Sequence, residues 1–206
     1  DVYGPTHLGL PIKEAMIDFF CDTFFPANLE DFQSKVTFTS IGVKTWKIGS
    51  FNISTFSTNH PITTLAYRIE CDGKVFVYSG DTEPFLNFLE NVPEATKEDR
   101  QEVDEIVNEQ EESWRRFLSK SDLCVYDAHF TPEEYPQFVG WGHASMQHAI
   151  ETCEQAKVKK LLLSHHSPQR EDSEIESLQS RWKAFVFQNK YDVVTDFAVE
   201  GRRYDL

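Results

Sequence analysis

Basic charge is what this chain most lacks. Lys and Arg number 20 against 34 Asp and Glu, a formal net charge of −14. A surface of that sign repels phosphates, so a nucleic-acid polymer is a poor partner. A small anion held at a local cation is still allowed, because such an ion outweighs the global field nearby. No apolar run of about 18 residues is present, which argues against a membrane-spanning helix. None of Cys21, Cys71, Cys124 and Cys153 belongs to a CxxC pair. Each lies in an apolar or amphipathic run, which points to buried free thiols and a reducing, cytoplasmic compartment. No internal repeat is evident, and no signal-peptide pattern is found within these residues. The chain opens at Asp1, without Met, in what reads as strand and turn, so its natural start is expected elsewhere. Also missing is any His-x-His-x-Asp-His sequence.

What is present suits one domain. The 206 residues are 40% apolar and include 17 Phe, enough for a sizeable core. Apolar spacing predicts a helix over 11–25, ending before Pro26. Strands are predicted over 36–41, 43–48 and 51–56, then a hairpin of 64–70 and 74–78 turning at Asp72-Gly73. Residues 90–113 are rich in Asp and Glu, with only Lys97 and Arg100 basic. Ile106, Val107 and Trp114 give them a thin apolar stripe. This region reads as a solvated helix or partly disordered insertion leading into a helix end at 114–118, in all an acidic helical insertion near 90–118. A buried strand at 123–126, a helix at 144–156, a strand at 158–164 and a helix at 173–189 follow. Two closing strands are expected at 192–199 and 202–204.

The chemistry-bearing residues sit where these strands end. His60 follows the third strand and precedes Pro61, which restricts its backbone to an extended form. Asp81 follows Gly80 at the end of an apolar strand, and a carboxylate there can bridge two cations. The bland alternative is that Asp81-Thr82 caps a following helix. His165 and His166 end the strand at 158–164. In an extended chain they face opposite ways, and His165 is the one expected to enter a site. His143 lies in a Gly-Trp-Gly-His turn before a helix N-terminus, where a proton donor to a leaving oxygen is well placed. Asp127, also at a strand end, is positioned to hydrogen-bond His143 and set its tautomer. His129 and His148 are weaker candidates, and His7 reads as a loop residue. Imidazoles and carboxylates gathered at strand ends are ligands for a borderline cation such as zinc.

These residues resemble the metallo-β-lactamase superfamily, in its branch of tRNA 3′-processing nucleases and small cyclic phosphodiesterases. The likeness is carried by Asn59-His60-Pro61 with Tyr67-Arg68-Ile69-Glu70, and by Tyr78-Ser79-Gly80-Asp81-Thr82. Tyr126-Asp127-Ala128, Gly142-His143-Ala144-Ser145 and Ser164-His165-His166-Ser167-Pro168 complete it. It covers nearly the whole chain except the acidic stretch.

The resemblance implies an α/β fold, an αββα sandwich here lacking its N-terminal portion, as one domain over 1–206. It implies a hydrolase with two divalent metal ions, zinc or manganese, and a metal-held hydroxide. His60, Asp81 and His165 would be metal ligands. His143 would be the general acid, supported by Asp127, and Ser167 and Arg170 would touch substrate phosphate. The expected substrate is a small or cyclic nucleotide-type phosphodiester. The family's His-x-His-x-Asp-His loop would lie upstream of Asp1. Without it, an exposed apolar face should need a partner: the missing segment or a second copy as a homodimer. The alternative is a metal-free domain serving assembly or ligand sensing.

Overall fold

The computed structural model describes residues 1–20 and 28–206, and the far end of the predicted 11–25 helix falls partly outside them. Elements in chain order are β1 (Val2–Pro5), α1 (Ile12–Phe19), β2 (Phe38–Ile41), β3 (Thr45–Ile48), β4 (Phe51–Ser57), β5 (Leu65–Cys71), β6 (Lys74–Tyr78), α2 (Lys97–Leu118), β7 (Leu123–Asp127), α3 (Met146–Gln155), β8 (Lys160–Ser164), α4 (Asp172–Asn189) and β9 (Val194–Phe197). One sheet has seven strands in the order β3-β4-β5-β6-β7-β8-β9, and β1 with β2 forms a separate parallel pair.

The seven-stranded sheet changes character at β6. Strands β3 to β6 are antiparallel, and β6 to β9 are parallel. Asp72 and Gly73, at φ 50 and 73, make the two-residue turn between β5 and β6. Such turns need a positive φ at both positions, which Asp-Gly supplies at little cost. Parallel neighbours need long crossovers, and α2, α3 and α4 provide them. Because β6, β7 and β8 run the same way, the loops after them open on one edge of the sheet. That edge carries the site.

Helices α2, α3 and α4 pack on one face of the seven-stranded sheet. Trp114 and Leu118 of α2, Met146, Ala149, Ile150 and Cys153 of α3, and Leu178 and Trp182 of α4 form a core with Ala66, Val77, Cys124, Tyr126, Leu161 and Leu163. Each large side chain removed from water contributes about 1.5–3 kcal/mol. The alternating positions Tyr67, Ile69, Phe76 and Val125 on the opposite face stay half-buried, and Tyr78 there is exposed. Cys124 and Cys153 are buried free thiols, as expected; Cys71 is a free thiol but only half-buried, and Cys21 lies outside the described residues.

The acidic stretch is not a disordered insertion. From Lys97 to Leu118 it is one continuous helix, started by a capping box in which Thr96 and Asp99 satisfy each other's backbone amides. Of the expected stripe, Val107 and Trp114 face the core, but Ile106 is 50% exposed, and Val103 and Leu118 complete the stripe in its place. Trp114 Nε1 donates to Tyr126 Oη at 2.8 Å, tying helix to sheet. Arg68 of β5 donates to the Phe117 and Ser119 carbonyls at 3.0 Å each, satisfying the helix C-terminus with a cation. The second closing strand is also corrected. Residues 202–204 form no strand, and Tyr204 Oη donates to the Phe197 carbonyl from a loop. Among the described residues, no helix is long and apolar enough to cross a membrane.

Candidate metal centre

Asp127 ends β7 and is 2% exposed. A buried carboxylate must be satisfied, and this one is. Oδ2 accepts from the Thr82 amide at 3.0 Å and faces His143 Nδ1 at 2.8 Å, and Oδ1 accepts from the His129 amide at 3.2 Å. Its own amide donates to Ser79 Oγ. One side chain thus joins the loop after β6 to the turn that carries His143. The Asp127 hydrogen bond is the main reason the His143 pKa is raised, and partial burial opposes it. With Nδ1 donating to the carboxylate, Nε2 is the nitrogen left to face the cleft.

Gly80 gives the loop after β6 its shape. It sits at φ +62, and a Cβ there would lie 3.1 Å from the Leu65 carbonyl oxygen. No helix begins at Asp81, and the next one starts at Lys97. The helix-capping alternative for Asp81-Thr82 is therefore closed. Asp81 Oδ1 lies 2.9 Å from His165 Nδ1. His165 stands at φ +60 just beyond β8. His166 turns the other way, stacks on Phe197 at 4.5 Å, and is held by burial at a pKa of about 4.

Asp81, Asp127, His143 and His165 each offer a ligand atom, and these atoms all lie within 4.8 Å of one another. Two carboxylates and two imidazoles suit a zinc- or manganese-class cation. The group overlaps the expected ligand set without matching it. His60 stands beside it, its ring 5.6 Å from that of His143. His60 Nδ1 is engaged by the Ile62 backbone and Thr64 Oγ1, which leaves Nε2 without a partner among the described residues. Ser167 lines the adjoining cleft. Arg170 lines it as well, but its guanidinium is committed. It contacts Glu134 at 2.5 Å, Glu174 and the His129 carbonyl, and the side chain is 5% exposed. A phosphate would compete with two carboxylates for it.

One residue of the site, Glu83, escaped the sequence, and another, His129, was only a weaker candidate there. His129 packs beside both His143 and His165, with ring centroids at 5.1 and 5.2 Å, and its Nδ1 bonds the His165 carbonyl at 2.9 Å. Burial lowers its pKa. Its place one residue beyond Asp127-Ala128 was the available signal. Glu83 is 5% exposed and accepts from Tyr135 Oη at 2.8 Å and from the amides of Gly140 at 2.7 Å and Gly142 at 2.9 Å. No local pattern marks a Glu as the buried acceptor for a distant turn. His148 is a packing residue on α3, its Nε2 3.2 Å from Thr152 Oγ1. His7 bonds Thr63 in the loop before β5.

A family model described as a beta-lactamase superfamily domain matches residues 24–166. Among solved structures, the chain is similar to the metallo-beta-lactamase fold protein YhfI of Bacillus subtilis, at 16% identity and TM-score 0.62, over 98% of this chain and 64% of that one. It is similar to the short form of human tRNase Z at 14% identity and TM-score 0.52, over 98% and 67% of the two chains. A diphosphatase of the PhnP family aligns at 11% identity and TM-score 0.51, over 100% and 60%. At these identities the likeness is one of fold. The chain therefore spans about 64% of the length of YhfI. No curated protein sequence matches.

Proposed function

The chain belongs to the beta-lactamase superfamily, and we propose that its strand-end cluster is the site of a metal-dependent hydrolase that cleaves a small phosphodiester, with His143 as general acid. The observation that carries this reading is the Asp127–His143 pair at 2.8 Å within the four-residue donor cluster. A general acid must hold its proton near neutral pH and sit beside the reacting atoms. Asp127 raises the His143 pKa and fixes its tautomer.

Asp81 and His165 would hold a divalent cation, with His60 Nε2 next to them. Such an ion supplies a nucleophile at neutral pH and polarises an ester oxygen. The chain's own residues do the rest. His143 Nε2 delivers a proton to the departing oxygen. Asp127 stabilises the imidazolium before transfer and orients the ring after it. His129, whose pKa is lowered chiefly by burial, walls the cluster. The acidic surface selects against polymeric phosphodiesters, so a small diester fits better than an RNA chain.

The test is hydrolysis of bis(4-nitrophenyl) phosphate with added zinc or manganese, alongside metal content by elemental analysis. His143→Ala should lower turnover about 100-fold or more with metal content unchanged, and Asp81→Ala should empty at least one metal site. If His143→Ala loses the metal instead, His143 is a ligand and not the acid. No turnover with either metal would sink the reading.

A further inference from the structure

Trp141 is 63% exposed, yet its backbone is among the most firmly held beside the site. The amides on both sides of it, those of Gly140 and Gly142, donate to the two oxygens of the buried Glu83 carboxylate. Large aromatics left in water and fixed in place are unusual unless they meet something. The indole is also the outer end of a run of rings that reaches the histidine cluster. Trp141 meets Phe138 edge-on at 5.2 Å, and Phe138 stacks on Phe130 at 4.7 Å with planes 5° apart. Phe130 meets His129 at 4.6 Å, and His129 stacks on His143 at 5.1 Å. These rings line a cleft of about 520 Å³ whose far side is Ser167 to Arg170. That volume suits a small ligand.

We infer that Trp141 and Phe138 form a stacking platform for a flat aromatic group, such as a nucleobase or an aryl ring, carried on the anionic ester whose scissile bond lies at His143. This rests on the hydrolase reading of the cluster. The chain's charge supports it: with a net charge of −14 there is no long-range attraction for an anionic substrate. Beyond what a cation held at the cluster supplies locally, affinity must then come from contact, and stacking is a contact that these rings offer. Glu83 contributes by fixing the backbone that carries Trp141 before the ligand arrives, which lowers the ordering cost of association.

The experiment is calorimetric titration of the whole chain with adenosine 5′-monophosphate, phenyl phosphate and ribose 5-phosphate, in the wild type, Trp141→Ala and Trp141→Phe. Adenosine 5′-monophosphate should bind more tightly than ribose 5-phosphate. Trp141→Ala should weaken it about tenfold, the size expected for one lost stacking contact. Trp141→Phe should recover most of that loss, and the affinity for ribose 5-phosphate should not change. Phenyl phosphate binding as tightly as the nucleotide assigns the platform to aromatic rings in general, and binding no tighter than ribose 5-phosphate assigns it to nucleobases. The inference is overturned if ribose 5-phosphate matches the nucleotide, if Trp141→Ala leaves nucleotide affinity unchanged, or if the nucleotide does not bind. Turnover of bis(4-nitrophenyl) phosphate in the same preparation is read separately. Its absence would remove the hydrolase reading, while the titrations decide the platform by themselves.

Discussion

A single oxygen of Asp127 serves two masters: Oδ2 takes the Thr82 amide at 3.0 Å and pairs with His143 Nδ1 at 2.8 Å. The loop that presents Asp81 and the ring proposed as proton donor are thereby fixed relative to each other. Asp127→Asn keeps an acceptor for one of these donors and removes the charge. The proposed acid would then hold its proton less well. Because Asp127 raises the His143 pKa, its loss moves the alkaline limb of the kcat–pH profile to lower pH. Turnover at neutral pH should drop about 10- to 100-fold, as for other supporting partners of a reactive histidine. A pH profile that keeps its alkaline limb in place would refute this.

Gly142 tests how tightly the turn is packed on His60. It sits at φ +89, and a Cβ there would lie 2.3 Å from His60 Cδ2 and 2.6 Å from Pro61 Cδ. Gly140 has a similar φ of +87 but open space around it. Gly140→Ala should cost about 1 kcal/mol, the backbone strain alone. Gly142→Ala should cost about 2–4 kcal/mol, because clash is added to strain. Urea unfolding of both variants measures the gap, and equal costs would mean that the turn yields without resistance.

His148 makes stability depend on pH in a defined direction. Burial, with Arg115 nearby, holds it at a pKa of about 4, below the ordinary 6.5. The unfolded chain takes up a proton near pH 6.5 that the folded chain refuses until about pH 4. Stability from this group is therefore complete above pH 6.5 and is lost as pH falls from there to about 4. The loss is about 1.4 kcal/mol per pH unit within that window. In the presence of a chelator, the difference in unfolding free energy between wild type and His148→Gln should shrink with that slope. A difference independent of pH between 6.5 and 5 would rule it out.

Trp114→Phe removes the indole N–H from Tyr126 Oη in the closed core beneath α2. The loss combines a buried hydrogen bond with missing volume and should be about 2–3 kcal/mol. Thermal unfolding followed by circular dichroism would show it, and an unchanged midpoint would mean that α2 contributes little to the core.

Much of this architecture is legible in the chain because strand ends announce themselves. Apolar runs closing on Gly80-Asp81, Asp127 and His165 locate three of the four cluster residues, and Gly142-His143 before a helix start locates the fourth. The opposed orientation of the His165 and His166 side chains also matches the expectation, though the reason differs. It was expected from the alternation of an extended strand, and it is produced by a left-handed turn at His165. What local pattern cannot carry is anything decided by distant partners. Glu83 looks like one more surface acid until the amides 57 and 59 positions away arrive to bind it. Arg170 looks available for phosphate until Glu134, 36 positions away, and Glu174 claim it. Ile106 and Val103 differ only in which way the helix is rotated against the sheet, which packing decides.

The order of strands around β6 has a consequence for how the chemistry comes into being. Asp81 and His165 are 84 positions apart, Glu83 and Gly142 are 59, and Thr82 and Asp127 are 45. Each of these bonds closes a long stretch of chain, whose entropy must be met before the bond returns anything. Helices can form early and locally, but a cluster built across three parallel strand ends waits for each strand in turn. A chain emerging from the ribosome can join Thr82 to Asp127 and Glu83 to Gly142 before β8 exists, yet the four-residue cluster is complete only once β8 is synthesised and docked and brings His165 to Asp81.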